Sequence, residues 1–148
     1  MKKITTALFL CFISSITFAQ LGVGLGNGGL NIKSSHENKF GVIGRLGLGF
    51  NSNSVTASPS VSAIARVFTS ENAKPYFGIG VGSWFTTTNN TFGYNTFIPI
   101  GVEVFPMGNK RMSVTVESGV GMSSFNNSFI YSGFRGLLEF TFYFGSKK

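Results

Sequence analysis

The chain has 148 residues, a net charge of +7, and an unusual content of 17 Phe and 20 Gly. Charged residues make up 11% of the chain, whereas an average soluble domain has about 25%. This length suits one domain, and so low a charge content is unusual for a surface that water alone must solvate. The lysines are scattered along the chain instead of clustered, which argues against a nucleic-acid partner.

Residues 1–19 have the features of a secretory signal peptide. A positively charged start precedes an apolar run at residues 7–13, and the small side chain of Ala19 suits cleavage after that residue. The apolar run is shorter than the roughly 20 residues of a spanning helix, so a membrane anchor is the weaker interpretation. The single cysteine, Cys11, lies in this segment, which excludes disulfides and cysteine sites from the mature protein. We therefore predict an exported single domain at residues 20–148.

The sequence GLGNGG at residues 24–29 matches the glycine spacing of a dinucleotide-binding turn. Such a turn needs a hydrophobic strand before the glycines and a helix after them, and the sequence offers neither. The glycines instead alternate with apolar residues from Leu21 to Leu25, as in a β-strand. Asn27-Gly28 is then either a hairpin turn that divides residues 20–35 into two strands or a bulge in one long strand.

Apolar side chains recur at every second position through the rest of the chain, which indicates β-strands. The predicted strands are residues 39–51, 54–68, 75–87, 95–106, 110–122 and 129–144. Each is long enough to cross a bilayer at a tilt, for which about 9–11 residues suffice. Bacterial single-chain barrels have even strand numbers, and a hairpin at Asn27-Gly28 makes the count eight.

The ionisable residues within these strands all alternate with the apolar ones. They are Arg45, Arg66, Glu103, Glu117, Arg135 and Glu139. The same positions carry mostly Gly, Ser and Thr, whereas the wet face of a soluble β-sandwich would carry several Lys, Asp and Glu. An apolar exterior around a narrow, charge-balanced interior is typical of a membrane barrel. We predict an all-β, antiparallel up-and-down transmembrane barrel of eight strands, with these residues forming a network in its lumen.

Pro59 and Pro99 fall in the middle of predicted strands, where a closed sheet would lose a ladder hydrogen bond at each. A bulge at either position is one way to accommodate the proline. A soluble exported β-sandwich stays the rival fold.

Three stretches of the sequence share a pattern with a known class of membrane protein. They are the lysine-led signal ending in Phe-Ala-Gln, the strand PYFGIGVG at residues 75–82 and the strand LLEFTFYF at residues 137–144. Together they resemble the small outer-membrane barrels of the OmpA/OmpX, porin-like type. The resemblance implies the outer membrane of a Gram-negative bacterium, contact with its lipids, and an assembly signal at Tyr143 and Phe144 for the barrel-assembly machinery. The family usually ends on that aromatic residue, whereas Gly-Ser-Lys-Lys follows it in this chain.

His36 is the only histidine, and its neighbours Ser34, Ser35 and Glu37 supply the elements of a hydrolytic triad. A triad needs members that converge in space, and neighbours in a short polar turn seldom do. We therefore predict an exposed histidine and no catalytic residues. With one His, no Asp and no mature Cys, we also predict no metal site and no cofactor.

These observations predict a monomeric barrel with a structural or surface-interacting role instead of a catalytic one. Residues 88–95 and 123–128 are predicted as polar surface loops that make outside contacts. A narrow channel and a lipid-modifying hydrolase are the alternatives. Aromatic residues near predicted strand ends are expected to form girdles at the membrane interfaces. They are Tyr76, Phe77, Trp84, Phe85, Phe92, Tyr94, Phe125, Phe129, Tyr131, Tyr143 and Phe144.

Overall fold

The structure, a computed structural model, describes residues 20–67, 70–87, 91–125 and 128–145, without the side chains of Met107 and residues 125–135. The predicted signal peptide lies outside the described residues. The strands are β1 (Leu21–Gly26), β2 (Gly29–Ser34), β3 (Phe40–Asn51), β4 (Ser54–Arg66), β5 (Ala73–Thr86), β6 (Thr91–Val104), β7 (Met112–Phe125) and β8 (Ser128–Phe144). Each strand pairs antiparallel with the next and β8 pairs with β1, so the sheet closes. The predicted all-β, eight-stranded antiparallel barrel is confirmed.

The turn at Asn27-Gly28 explains the even strand number. Gly26 pairs with Gly29 across this turn, so β1 and β2 form a hairpin of two six-residue strands, and the bulge interpretation is wrong. Gly29 has a φ of +95°, and a Cβ atom there would overlap the carbonyl oxygen of Leu46 on β3. A residue without a side chain is therefore required where this hairpin meets β3.

Pro59 and Pro99 each interrupt the hydrogen-bond ladder on one side. Pro59 stays in register with Leu46 on β3, and Pro99 stays in register with Gly119 on β7. On the side that faces β5, the register pairs skip both prolines and then resume without a shift. Neither proline therefore sits in a bulge. Each lacks the N–H that would donate to the ladder, but the register of its strand is unchanged. A register irregularity occurs elsewhere, between Gly119 and Gly121 of β7.

The alternation in the sequence becomes an apolar exterior and a largely polar interior. On the outside of β3, Phe40 is 70% exposed and Phe50 is 76% exposed. Inward positions carry the buried charged residues together with a small apolar cluster of Ile43, Ile64 and Tyr76. The strand periodicity therefore predicted the two faces correctly for the described strands.

The strands are strongly staggered around the barrel. A row of register partners that begins at Gly24 of β1 returns to β8 at Ile130, although Gly24 itself pairs with Thr141. The row consists of Gly24, Asn31, Arg45, Ser60, Gly82, Asn95, Ser123 and Ile130. Such a stagger tilts the strands against the barrel axis, so that each successive partner in the row lies nearer one end of the barrel.

The barrel has a terminus end and a hairpin end. The terminus end holds Gln20, Gly145 and the connections after β2, β4 and β6, with a 3-10 turn at Pro106–Gly108. The hairpin end holds the turns after β1, β3, β5 and β7. Among the described residues, no helix is long and apolar enough to cross a membrane.

The predicted surface loops at the hairpin end are largely strand. Residues 91–95 belong to β6, and residues 123–125 belong to β7. The polar Asn, Thr and Ser residues of these segments suit a strand because every second position faces the interior. Residues 88–90 and 126–127 lie outside the described residues. The prediction of two loops at 88–95 and 123–128 is therefore wrong in extent.

Candidate functional site

The terminus-end half of the interior contains a buried network of ion pairs, which we call the lumen network: Lys33, Arg45, Arg66, Glu103, Glu117 and Glu139. At its centre, Arg45 Nε donates to Glu139 Oε1 at 2.6 Å, and Arg45 Nη2 donates to Glu117 Oε2 at 2.7 Å. These residues come from β3, β7 and β8, and all three side chains are buried. Closure of the barrel therefore joins charges that lie far apart in the sequence.

Lys33 is a second cation of this network, and it was not among the six predicted residues. Its Nζ lies 3.3 Å from Glu139 Oε2 and donates to Thr115 Oγ1 at 2.5 Å. The hairpin at Asn27-Gly28 places Lys33 on β2, where it alternates with the outward Leu30 and Ile32. The same alternation that identified the other charged residues would have found Lys33 once the hairpin was chosen.

Two tyrosines expected in the membrane girdles instead point into the lumen. Tyr76 Oη donates to Glu117 Oε2 at 2.6 Å, and Tyr143 Oη donates to Glu103 Oε1 at 2.5 Å. They are 2% and 4% exposed, so their assignment to an outer girdle is wrong. Each tyrosine lies two residues from an inward polar residue of its own strand, Lys74 for Tyr76 and Thr141 for Tyr143. The alternation in the sequence therefore already indicated that both point inward. Phe144 does face outward, and the role of Tyr143 and Phe144 in assembly stays a prediction.

Arg66 and Arg135 are the other two arginines that the sequence predicted for the interior. Arg66 Nη2 lies 3.9 Å from Glu103 Oε2, and its Nη1 donates to the carbonyl oxygen of Asn38 at 2.7 Å. Arg66 therefore ties the connection after β2 to the lumen network. The backbone of Arg135 pairs with Gly119, but its side chain lies outside the described residues.

Burial makes these pairs mutually dependent. Glu139 is 0% exposed, and each described carboxylate of the network lies within 4 Å of at least one cation. Removing one partner of such a pair leaves a desolvated charge, which costs about 3–5 kcal/mol. The charges of the network are therefore stable in the interior only when the barrel closes correctly and brings their partners together.

His36 is buried under the terminus end, contrary to the prediction of an exposed turn histidine. It is 1% exposed, and its ring centroid lies 4.5 Å from that of Phe105 and 4.7 Å from that of Tyr143. Lys74 Nζ donates to the His36 carbonyl oxygen at 3.0 Å, which holds the connection after β2 across the barrel mouth. Burial, followed by the nearby charge of Lys74, lowers the pKa of His36 to about 4.

The residues around His36 do not form a hydrolytic arrangement. Ser34 Oγ accepts from the Val42 amide at 2.8 Å, and Ser35 Oγ accepts from the Glu37 amide at 3.2 Å. Both imidazole nitrogens of His36 lack a hydrogen-bond partner among the described residues. The two neighbouring hydroxyls therefore organise the connection, and neither is hydrogen-bonded to the imidazole.

Comparisons with protein-family models, curated proteins and solved structures found no match for this chain. The described residues contain no group of three or more His, Cys, Asp or Glu that could hold a metal ion. The function must therefore be inferred from the barrel itself, from its two faces and from the residues that fill its interior.

Proposed function

We propose that this protein is an integral outer-membrane β-barrel of a Gram-negative bacterium, with a structural or surface-interacting role and no catalytic activity. The observation that carries the proposal is the apolar exterior of a closed sheet around buried charges. Large exposed apolar side chains occur on every one of the eight strands. Lipid would solvate such a surface, whereas water would not, and soluble monomers rarely expose extended apolar patches.

The lumen network supports a structural role for the interior. An eight-stranded barrel has an interior just wide enough for side chains to fill. At the terminus end, Lys33, Glu139 and Thr115 fill it with almost no exposed surface, and Phe105 and His36 pack below them. This arrangement holds the strands together and blocks free passage of solutes. The polar hairpin end would then supply the surface that meets outside partners.

Membrane fractionation tests the location. We expect the mature protein in the outer-membrane fraction, with an electrophoretic mobility that changes when the sample is boiled. Folded membrane barrels keep their compact shape in detergent until heating unfolds them. A protein that is recovered from the periplasm without detergent, with one mobility before and after boiling, would contradict the proposal.

A pair of substitutions tests whether lipid covers the exterior. Ile79→Arg places a charge on the outside of β5, where a lipid-facing cation costs about 2–4 kcal/mol near the bilayer midplane. Asn72→Arg places the same charge in an exposed connection at the terminus end, and we expect a change below about 0.5 kcal/mol. Unfolding by urea in phospholipid vesicles measures both. Equal tolerance of the two arginines would indicate a water-exposed surface.

A further inference from the structure

The exposed charges of the barrel are concentrated at one end. Among the described side chains, the exposed charged residues all lie in connections at the terminus end: Glu37, Lys39, Glu71, Lys110 and Arg111. The turns at the hairpin end, residues 27–28, 52–53, 87–90 and 126–127, contain no charged residue in the sequence. Within the described part of the chain, only the terminus end therefore offers exposed cations to a partner.

Arg111 lies where the apolar exterior reaches this end. Its amide donates to Asn109 Oδ1 at 3.0 Å, and its carbonyl oxygen accepts from the Tyr143 amide at 2.8 Å. Both backbone groups of Arg111 are therefore held in place beside the last residues of β8. Its side chain is exposed and makes no ion pair with another described residue. The guanidinium is therefore available to a ligand from outside the chain.

A cavity of about 390 Å³ adjoins Arg111, and we call it the rim pocket. Its lining consists of Gln20, Arg111, Phe142, Tyr143, Phe144 and Gly145, of which only Arg111 is charged. Phe142 and Phe144 face outward and are at least half exposed. The rim pocket therefore lies at the boundary between the apolar exterior and the polar terminus end.

An apolar groove of about 600 Å³ follows the outside of the barrel next to the rim pocket, and we call it the outer groove. Its lining is entirely uncharged and includes Val23, Leu25, Leu30, Phe140, Phe142 and Phe144. Phe142 and Phe144 line both spaces, so the rim pocket and the outer groove adjoin. From Phe144 to Phe140 the groove extends about 13 Å along β8, at the usual rise of a strand. It leads away from the terminus end, toward the middle of the barrel.

A cation at one end of an apolar groove favours a ligand with an anionic head and a hydrocarbon chain. A guanidinium can form two parallel hydrogen bonds with a phosphate, and phosphate is the charged group of a phospholipid head. If lipid covers the exterior, the rim pocket lies at the edge of the apolar belt, where the headgroup region of a bilayer begins. The net charge of +7 and the exposed cations at this end favour an anionic lipid over a zwitterionic one.

We propose that the rim pocket and the outer groove together bind one anionic phospholipid, such as phosphatidylglycerol, from the leaflet at the terminus end. Its phosphate lies at Arg111, and one of its acyl chains lies in the outer groove against Phe140 and Phe142. The second acyl chain stays in the surrounding bilayer. This inference rests on the proposed membrane location, and it adds one specific lipid site to the general lipid contact of the exterior.

Native mass spectrometry tests the site on the full protein, in detergent micelles that contain phosphatidylglycerol and phosphatidylcholine of the same chain length. We expect one retained phosphatidylglycerol per protein, bound about fivefold more tightly than phosphatidylcholine, which is the effect of one arginine on an anionic lipid. Equal retention of the two lipids would overturn the inference. A protein dimer without lipid would also overturn it, because a second copy of the chain would then cover the groove.

Two substitutions of neighbouring cations test the headgroup contact. Arg111→Gln and Lys110→Gln remove the same charge from adjacent exposed residues, but only Arg111 lines the rim pocket. We expect Arg111→Gln to abolish the preference for phosphatidylglycerol and Lys110→Gln to retain it. Because both side chains are exposed, neither change is expected to impair folding. Equal behaviour of the two variants would mean that the general charge of this end, and not a site at Arg111, attracts the lipid.

A second pair of substitutions tests the position of the acyl chain. Val23→Phe fills the outer groove, whereas Val81→Phe adds the same ring to the outside of β5, away from the groove. We expect Val23→Phe to lose the retained phosphatidylglycerol and Val81→Phe to keep it. The change of gel mobility on boiling shows that each variant has formed its barrel. Equal retention by two folded variants would contradict the groove.

Glycerol phosphate, which has the charged head but no chain, distinguishes a lipid from a free anion. We expect it not to displace the bound phosphatidylglycerol at equal concentration, and displacement would mean that the site recognises phosphate without the groove. Flotation of the protein with vesicles is scored first. Failure to float rejects the membrane location and this inference with it, whereas a floating protein without a preference for phosphatidylglycerol rejects only the lipid site.

Discussion

The two halves of the barrel interior use the same strand alternation in different ways. Near the terminus end, inward positions hold charged residues that are buried and paired, behind a complete wall of eight strands. Nearer the hairpin end, the described inward side chains of Ser60, Trp84, Asn95 and Phe97 are uncharged and partly exposed. The same period of two therefore produces one half of the interior that is charged and buried and another whose described residues are uncharged and partly exposed.

The largest expected effect is a difference in the free energy of unfolding between a variant of the charged half and a variant of the uncharged half. Arg45→Ala leaves Glu117 and Glu139 buried without their main cation, so we expect a loss of about 3–5 kcal/mol in the free energy of unfolding. Ser60→Ala, at a partly exposed inward position nearer the hairpin end, is expected to change it by less than about 0.5 kcal/mol. Urea titration in vesicles measures both. Similar losses for the two variants would mean that the halves are not energetically distinct.

A smaller effect tests the tyrosines of the sealed half. Tyr143→Phe keeps the ring beside His36 but removes the hydroxyl that donates to Glu103, and we expect a loss of about 1.5–3 kcal/mol. Tyr94→Phe is the control because its side chain is exposed on the outside of β6. The same unfolding assay applies, and a silent Tyr143→Phe would show that this hydroxyl contributes nothing to the network.

The pH dependence of stability tests the burial of His36 at the terminus end. Burial lowers the pKa of His36 from 6.5 to about 4, so the folded protein binds fewer protons than the unfolded chain between these values. The resulting stability is present above pH 6.5 and is lost as pH falls toward 4. At pH 5 we expect wild type to have lost about 1–2 kcal/mol more than His36→Gln, relative to pH 7.5. Parallel stability curves for the two proteins would contradict this burial.

The smallest expected signal is ion conduction. Because the terminus-end half is filled by the lumen network, we expect no unitary conductance steps in planar bilayers. The matched preparation is Arg45→Ala, whose interior loses its central cation and is expected to show leak. Regular conductance steps from wild type would show a continuous path and favour the channel alternative.

Much of the fold could be predicted because strand alternation is local. The outward side chains of β3 and the inward placement of Arg45, Arg66, Glu103, Glu117 and Glu139 follow from a period of two. Lys33 was missed because its assignment depends on the hairpin at Asn27-Gly28. Tyr76, Tyr143 and Trp84 lie on inward positions too, but their aromatic character suggested the membrane interface. His36 follows no period, because it lies in a connection.

The sequence by itself determined which face of each strand is apolar and which carries charge, because neighbouring side chains of a strand point to opposite sides whatever the strand contacts. Only the tertiary structure decided that Arg45 pairs with Glu139 and that His36 is buried. Those features depend on barrel closure, on the stagger of its strands and on how a hairpin of two six-residue strands pairs with longer neighbours. Each is a relation between distant segments that no local pattern encodes.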